Sequence, residues 1–217
     1  MEIHAPHGPI LTWREATVHL AIVTVGIVIA LSFEGLLEWS HHRSLVREAT
    51  SNLRTEIQDN QKELDRFMAR LPPMEARFRH GLEILNDLPA HRDEAAGLFR
   101  AGPTSIMYGF DLAELRTASR TTAEITGAFG LMGYSDAEIY AAVYDRQQLF
   151  TRTQNQAIDN GTGAFALGQS LDFAKPSSDE LEGLKRQVRL TIGSLSTEGE
   201  FAKALKTEFG RALERLH

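Results

Sequence analysis

Histidine and carboxylate side chains are the groups in this chain best suited to bind a metal. His19 lies inside a long apolar run, where its imidazole could ligate the metal of a haem or a chlorophyll. Glu38 and His42 are four residues apart, so a helix places them one turn apart, close enough to share a metal ion. The apolar run has no second histidine, and Glu38 and His42 are only two ligands. We therefore expect no bound cofactor or metal, and we keep these residues as candidate sites.

Motifs of the common enzyme classes are absent from the sequence. It contains no G-x-S-x-G, H-E-x-x-H, G-x-G-x-x-G or G-x-x-x-x-G-K-[ST]. The absence of cysteine excludes disulfides, thiolate metal sites and cysteine nucleophiles. The net charge of −6 offers no basic surface for nucleic acid. The glycine-containing stretch 161–168 lacks the Lys-Ser/Thr ending of a phosphate loop, and we interpret it as a flexible connection. These absences favour a non-enzymatic protein.

The apolar run itself, residues 16–33, contains no Asp, Glu, Lys or Arg. A helix rises about 1.5 Å per residue, so the run covers about 27 Å of a bilayer core that is roughly 30 Å thick. Trp13 and Trp39, the only tryptophans, flank it about 39 Å apart at that rise, close to the spacing of the two headgroup layers. The sequence predicts one membrane span with a tryptophan at each interface, and the lipid bilayer as a partner.

A cleaved signal peptide is the alternative interpretation of this run. Signal peptides have a basic leader, a shorter apolar stretch and a cleavage site with small residues. The leader 1–13 is nearly uncharged, and the run continues into Glu34, Gly35 and Leu36. The pattern favours a retained anchor.

Small residues on one face of the span indicate a contact with another helix. Gly26 and Ala30 form a small-xxx-small pair, with Ser32 nearby, and such residues let two helices approach closely. We expect contact with other transmembrane subunits, and a homo-oligomer stays open. Glu34 lies at the membrane boundary or makes a polar contact with a partner, and Glu38 and His42 belong to the interface.

Helical periodicity continues through the rest of the chain. A narrow apolar stripe follows the span until Pro72 and Pro73, where we expect the helix to end. The stripe comprises Leu45, Ala49, Leu53, Ile57, Leu64, Phe67 and Leu71. Further helices are predicted over residues 74–88, 92–100, 111–131, 135–150, 179–195 and 198–216, with Ser177 or Ser178 capping the segment that begins at 179.

The fold class predicted is therefore all-α. One N-terminal transmembrane helix continues into a long helix, and an antiparallel helical bundle follows. The domains are a tail over residues 1–12, a transmembrane helix over 13–40 and a helical bundle over 41–217.

The stretch VTVGIVIALSFEGLLEW, followed by His41, His42 and Arg43, resembles the anchor of a broad group of uncharacterised bacterial single-span proteins. Spans of that group carry a G-I-[LVI]-I-A-L core and an exit rich in Trp or Glu into a long helix. The opening MEIHAPHGPILTWRE looks like a proteobacterial version of the same leader. The resemblance covers roughly the first 60 residues. It implies an architecture in the bacterial inner membrane and no catalytic residues.

The two ends of the span give opposite indications of sidedness. Arg43, Arg47 and Arg54 follow it while only Arg14 precedes it, which by the positive-inside rule favours a cytoplasmic bundle. Relatives of the type that the sequence resembles often have a basic N-terminal tail, which implies a periplasmic bundle. We expect the periplasm.

Taken together, these patterns predict a non-catalytic accessory or scaffolding subunit of a larger bacterial membrane complex, such as a respiratory or photosynthetic one. A membrane-anchored sensor or ligand-binding protein is the first alternative. A cofactor carrier that uses His19, or Glu38 with His42, is the second.

Overall fold

The computed structural model describes residues 13–215, which form six helices joined by loops, with no strand in that range. The all-α prediction is confirmed. The helices are α1 Trp13–Asn86, α2 Arg92–Leu98, α3 Ala118–Ile125, α4 Ala128–Leu131, α5 Tyr134–Ser170 and α6 Ser178–Arg215. The chain divides into two compact units, the first ending at Glu48 and the second beginning at Ala49. The predicted tail, residues 1–12, lies outside the described residues, as do 216 and 217.

The described part of the first unit, residues 13–48, is helical throughout. The hydroxyl groups of Thr17, Thr24 and Ser32 bond to carbonyls about one turn back in the same helix. Thr24 donates to the carbonyl of Leu20 at 2.8 Å, and Ser32 donates to that of Val28 at 2.7 Å. This internal satisfaction of polar groups is what a helix needs when its surroundings offer no water.

The second unit is built around three long helical segments: α1 from Ala49 onward, α5 and α6. The apolar stripe of α1 faces its core, as predicted. Five of the predicted stripe residues are fully or almost fully buried: Leu53, Ile57, Leu64, Phe67 and Leu71. Each such side chain contributes roughly 1.5–3 kcal/mol when it is removed from water, so this stripe is a main source of the unit's stability.

The long helices differ in direction. Tyr140 and Tyr144 of α5 hydrogen-bond to Thr50 and Glu56 of α1, so the two helices run parallel. Helix α6 runs antiparallel to α1, because Lys206 pairs with Asp65 at 2.6 Å while Gly199, earlier in α6, packs on a later residue of α1. A parallel pair needs a connection that returns along the bundle, and residues 87–133 provide it.

The helix does not end at Pro72 and Pro73, so that prediction is wrong. Helix α1 continues through both prolines to Asn86. A proline inside a helix costs about 3 kcal/mol. Here Leu71 and Met74 are buried on either side of the prolines, and Phe78 and Leu85 are buried beyond them. Burial of these side chains offsets the cost, and the predicted separate helix over 74–88 is the last part of α1.

The helix predicted over residues 111–131 is wrong in its first third and is broken at residues 126–127 in the rest. Residues 110–117 are not helical, and only the short helices α3 and α4 follow. The chain here returns along α1 and α5: Ile106 lies at Gly81, Phe110 packs on Phe78, and Arg116 bonds to Asn60. Side chains of the long helices take over the backbone hydrogen bonds that a helix would have made.

The flexible connection expected around residues 161–168 is also wrong, because α5 runs unbroken to Ser170. Its glycines are places of close packing. A Cβ atom at Gly161 would lie 2.9 Å from the ring of Phe110, and one at Gly168 would overlap the ring of Phe99. The two helices predicted over 179–195 and 198–216 are likewise a single helix, α6.

The predicted cap of α6 is confirmed. Ser177 Oγ accepts the backbone N–H of Glu180 at 3.2 Å, and Glu180 accepts the backbone N–H of Ser177 at 3.1 Å. This reciprocal pair is a capping box. The hydroxyl and the backbone N–H of Ser177 hold the pKa of Glu180 below its usual range.

Candidate functional site

The apolar segment of α1 is the first candidate functional feature. It is long enough and apolar enough to cross a membrane, and none of its most apolar 18-residue window is buried within the protein. Large side chains such as Val25, Ile27 and Phe33 each expose more than half of their surface. A core helix of a water-soluble protein would bury such a face, because apolar surface is driven out of water. The described chain does not cover this face, which is the pattern of a candidate membrane span.

Side chains just after this segment contact one another. The guanidinium carbon of Arg43 lies 5.3 Å from the centre of the Trp39 ring, a cation–π distance. Glu38 Oε1 and His42 Nε2 are 3.8 Å apart, so these two residues do lie together on one turn. Across residues 13–215, no group of three or more His, Asp or Glu side chains is placed to hold a metal ion. The Glu38–His42 pair has the geometry of a surface ion pair.

The remaining predicted residues of the span all lie on the exposed surface of α1. These are Trp13, His19, Gly26, Ala30, Ser32 and Glu34. A Cβ atom added at Gly26 would meet nothing within 4 Å, so its small-residue face is free to receive another helix. Their predicted roles in membrane registration, helix contact and polar contact stay predictions.

The second candidate feature is a set of buried polar side chains inside the bundle, which hold the returning segment 110–119. Gln154 accepts the backbone N–H of Ala113 at 2.9 Å and donates to its carbonyl at 3.2 Å. Asn60 makes the same two-way contact with the backbone of Arg116, at 2.8 Å in both directions. Gln147 adds a third donor, 3.0 Å from the Arg116 carbonyl. Three amide side chains thus bind the non-helical backbone of this segment.

Glu198 is a buried carboxyl group without a charged partner. Its side chain is 2% exposed, and its Oε1 atom has no hydrogen-bond partner in the described part of the chain. Burial raises the pKa of Glu198 to about 8, so the carboxyl group is neutral over most of the physiological range. An uncharged carboxyl avoids the larger cost of a buried charge, which explains how the core accommodates it.

A cleft of about 600 Å³ lies between α2 and the turn that joins α5 to α6. Its walls include the stacked rings of Phe99 and Phe173, whose centres are 5.7 Å apart, and the side chains of Arg92 and Arg100. Asp93 and Asp172 also line it, so the positive charges are balanced within the cleft. This cleft is large enough to admit a small molecule.

Sequence patterns did not predict five buried polar residues: Glu56, Asn60, Gln147, Gln154 and Glu198. A signal for Glu198 was available, since it lies three residues after Leu195 and four before Ala202, both of which are buried. A polar residue at a core position of a helical stripe indicates a buried polar contact. The amide side chains gave the same signal: Asn60, for example, lies three residues after Ile57 and four before Leu64, both of which are buried.

The fold and the exposed apolar segment together define the class of this protein. Its described residues are all-helical outside the loops, with one candidate membrane span followed by a helical bundle. The sequence matches no protein-family model, no curated protein and no solved structure.

Proposed function

We propose that this chain is a single-span protein of the bacterial inner membrane that acts as a non-catalytic accessory or scaffolding subunit of a larger membrane complex. The observation that carries the proposal is the wholly uncovered apolar segment of α1. An apolar helix with no partner in its own chain is stabilised by lipid or by the spans of other subunits.

The small-residue face supports contact with other spans. Gly26 and Ala30 share one side of the helix, and the space beyond Gly26 is open. Glu34, four residues after Ala30, is exposed and is the nearest carboxylate for a polar contact with a partner. The bundle presents mainly charged helix faces, which suits a periplasmic domain attached to such an assembly.

Co-purification tests this proposal. The tagged full chain is extracted from its native membranes in mild detergent, and the proteins that elute with it are quantified by mass spectrometry. Gly26→Leu is expected to reduce the co-eluting subunits several-fold, because a larger side chain separates the helices. Val28→Leu, on the opposite face of the span by helical geometry, is the matched control and should leave them unchanged. A chain that elutes alone, or equal elution for both variants, would contradict the proposal.

Sidedness has a separate test, since the chain has no native cysteine. A single Lys203→Cys variant, at an exposed position of α6, is treated in whole spheroplasts with a membrane-impermeant maleimide. Labelling before lysis indicates a periplasmic bundle, and labelling only after lysis indicates a cytoplasmic one.

A ligand sensor is the second candidate function, favoured by the cleft beside Phe99 and Phe173. The two arginines and two aspartates suit a small zwitterionic ligand, and the two rings suit an apolar part of it. Ligand binding should raise the unfolding temperature of the wild-type chain, and Arg100→Gln should abolish that rise. If the purified chain elutes alone and shows such a ligand-dependent shift, the sensor becomes the better interpretation.

A further inference from the structure

The two most exposed large apolar side chains of the bundle lie at one corner, where α3, α4 and α5 follow one another. Tyr134 and Ile125 expose 84% and 81% of their surface, and Leu131 lies between them in the chain. We call these three residues the apolar corner. Residues 125–135 contain no charged side chain. A local cluster of exposed apolar groups marks an interaction surface.

The corner is held in place by the residues between its members. Ala128 is fully buried, and the ring of Phe129 packs edge-on against Tyr140 at 6.2 Å. Gly127 adopts φ +73°, a left-handed conformation that glycine reaches without strain and that directs the chain into α4. The turn therefore fixes its inner residues in the core and leaves its outer residues facing solvent.

The corner lies at the end of the bundle where the second unit begins. Tyr140, which packs on Phe129, donates a hydrogen bond to the carbonyl of Thr50, one residue after Ala49. Helix α5 starts at Tyr134 and runs away from this end. The start of the bundle and the apolar corner are thus neighbours within one unit.

The covalent chain limits how far the start of the bundle can lie from the apolar segment. Residues 34–48 separate Phe33, the last residue of the apolar run, from Ala49. These residues are helical and span about 24 Å at the helical rise. If the apolar segment is in a bilayer, the start of the bundle is therefore tethered within about that distance of the apolar run.

We propose that the apolar corner inserts into the interfacial layer of the membrane that holds the anchor, so that the bundle contacts the bilayer at a second point. The inference rests on the proposed membrane anchor. Tyrosine suits this layer, because its ring is apolar and its hydroxyl reaches water or headgroups. The lack of charge over residues 125–135 removes the main cost of insertion.

The size of the corner favours lipid over a protein partner. A stable protein interface buries about 800 Å² on each side. Three side chains supply at most a few hundred Å², which is too little for a second copy or another subunit. Shallow insertion into a bilayer needs no larger area, because the span already provides attachment and the corner sets only the orientation.

Site-directed spin labelling of the full chain tests the inference. Because the chain lacks cysteine, Ile125→Cys and Tyr134→Cys each provide one labelling site at an exposed position. The labelled protein is reconstituted into vesicles of phosphatidylethanolamine and phosphatidylglycerol. Power saturation then compares collision with oxygen, which concentrates in lipid, and with a water-soluble nickel chelate. Circular dichroism confirms that each variant is folded.

Two further labels provide controls. Leu190→Cys is an exposed apolar position on α6, close to residues that contact Asn160. Asn160 is 20 residues along α5 from Tyr140, which is roughly 30 Å from the corner end. Val25→Cys reports on the apolar segment itself. We expect the labels at 125, 134 and 25 to collide several-fold more with oxygen than with nickel, and the label at 190 to show the reverse.

The outcomes separate this inference from the anchor on which it rests. Nickel access at 125 and 134, with lipid exposure at 25, would overturn the inference and leave the anchor standing. Protection of 125 and 134 from both reagents would indicate a protein contact and would also overturn it. Nickel access at 25 would overturn the anchor and the inference together.

Discussion

Tyr144 of α5 donates a hydrogen bond to Glu56 of α1, with 2.5 Å between Oη and Oε1. The other carboxylate oxygen of Glu56 accepts the backbone N–H of Ser119 at 2.7 Å. One side chain therefore joins both parallel helices to the first turn of α3. Burial of the Tyr144 hydroxyl, and then its bond to Glu56, raise the pKa of Tyr144, so the hydroxyl stays protonated and remains a donor.

Removing this hydroxyl should destabilise the bundle. Tyr144→Phe leaves a buried carboxylate oxygen without its donor, and a loss of about 1–3 kcal/mol in the free energy of unfolding is expected. Urea unfolding in mild detergent, followed by circular dichroism, measures it. Tyr108→Phe, at an exposed ring, is the matched control and should change stability by less than about 0.5 kcal/mol. Equal losses in the two variants would show that the Glu56 contact contributes nothing.

The returning segment should loosen when one amide side chain that binds it is removed. Gln154→Met keeps a similar volume but leaves the N–H of Ala113 unpaired, while the carbonyl of Ala113 keeps its bond from the backbone N–H of Leu115 at 3.2 Å. One unpaired buried N–H should cost about 1–3 kcal/mol. Hydrogen exchange of the Ala113 amide should accelerate accordingly. Gln156→Met, at an exposed position on the same helix, is the control. Unchanged exchange at Ala113 would mean that the bond to Gln154 does not protect this amide.

Glu198 should make the stability of the bundle depend on pH. Its pKa is about 8 in the fold, against 4.5 for an unperturbed carboxyl. Below pH 4.5 the Glu198 carboxyl group is protonated in the folded and in the unfolded chain. Between pH 4.5 and 8 it loses its proton in the unfolded chain alone. The contribution of Glu198 to the free energy of unfolding therefore falls as pH rises from 4.5 to 8, and it is constant above pH 8.

Glu198→Gln should remove this pH dependence and raise the free energy of unfolding at pH 8 by on the order of a few kcal/mol. Unfolding curves at pH 5 and pH 8 provide the comparison. Glu200→Gln, at an exposed position two residues later, should leave the slope unchanged. A wild-type chain whose stability does not fall between these pH values would argue against a protonated Glu198.

Two glycines in helices should respond oppositely to alanine. A Cβ atom at Gly168 would overlap the ring of Phe99, so Gly168→Ala should cost about 1–3 kcal/mol. Nothing lies within 4 Å of a Cβ atom at Gly183 in α6. Gly183→Ala should therefore stabilise the chain by about 0.5–1 kcal/mol, the usual gain from helix propensity. Thermal unfolding of both variants tests the pair, and a loss at both positions would contradict it.

Periodicity predicted the helices where burial follows a simple repeat. The stripe from Leu53 to Leu71 is buried because its spacing matches the helical turn, and Ser177 caps α6 because its hydroxyl lies three residues before Glu180. Both features depend on residues that are close in the chain. The exposed apolar segment was also predictable, since a run of 18 residues without charge needs no tertiary information.

Local rules failed where distant residues decide the outcome. Pro72 and Pro73 are helix breakers by sequence, yet the buried residues on both sides keep α1 continuous. Residues 110–117 have helical spacing, yet Asn60 and Gln154 offer their backbone better hydrogen bonds than a helix would. The sequence of residues 110–117 alone does not identify Asn60 or Gln154 as hydrogen-bond partners of this backbone.

The sequence by itself determined that this protein is all-helical, that one segment is long and apolar enough to cross a membrane and that no familiar catalytic motif is present. Each of those properties depends only on residues that are close together in the sequence. Only the tertiary structure decided that α5 runs parallel to α1, that Glu198 is buried without a charged partner and that the apolar corner lies beside the start of the bundle. These relationships join residues up to 90 positions apart, and their energies depend on packing that no local pattern contains.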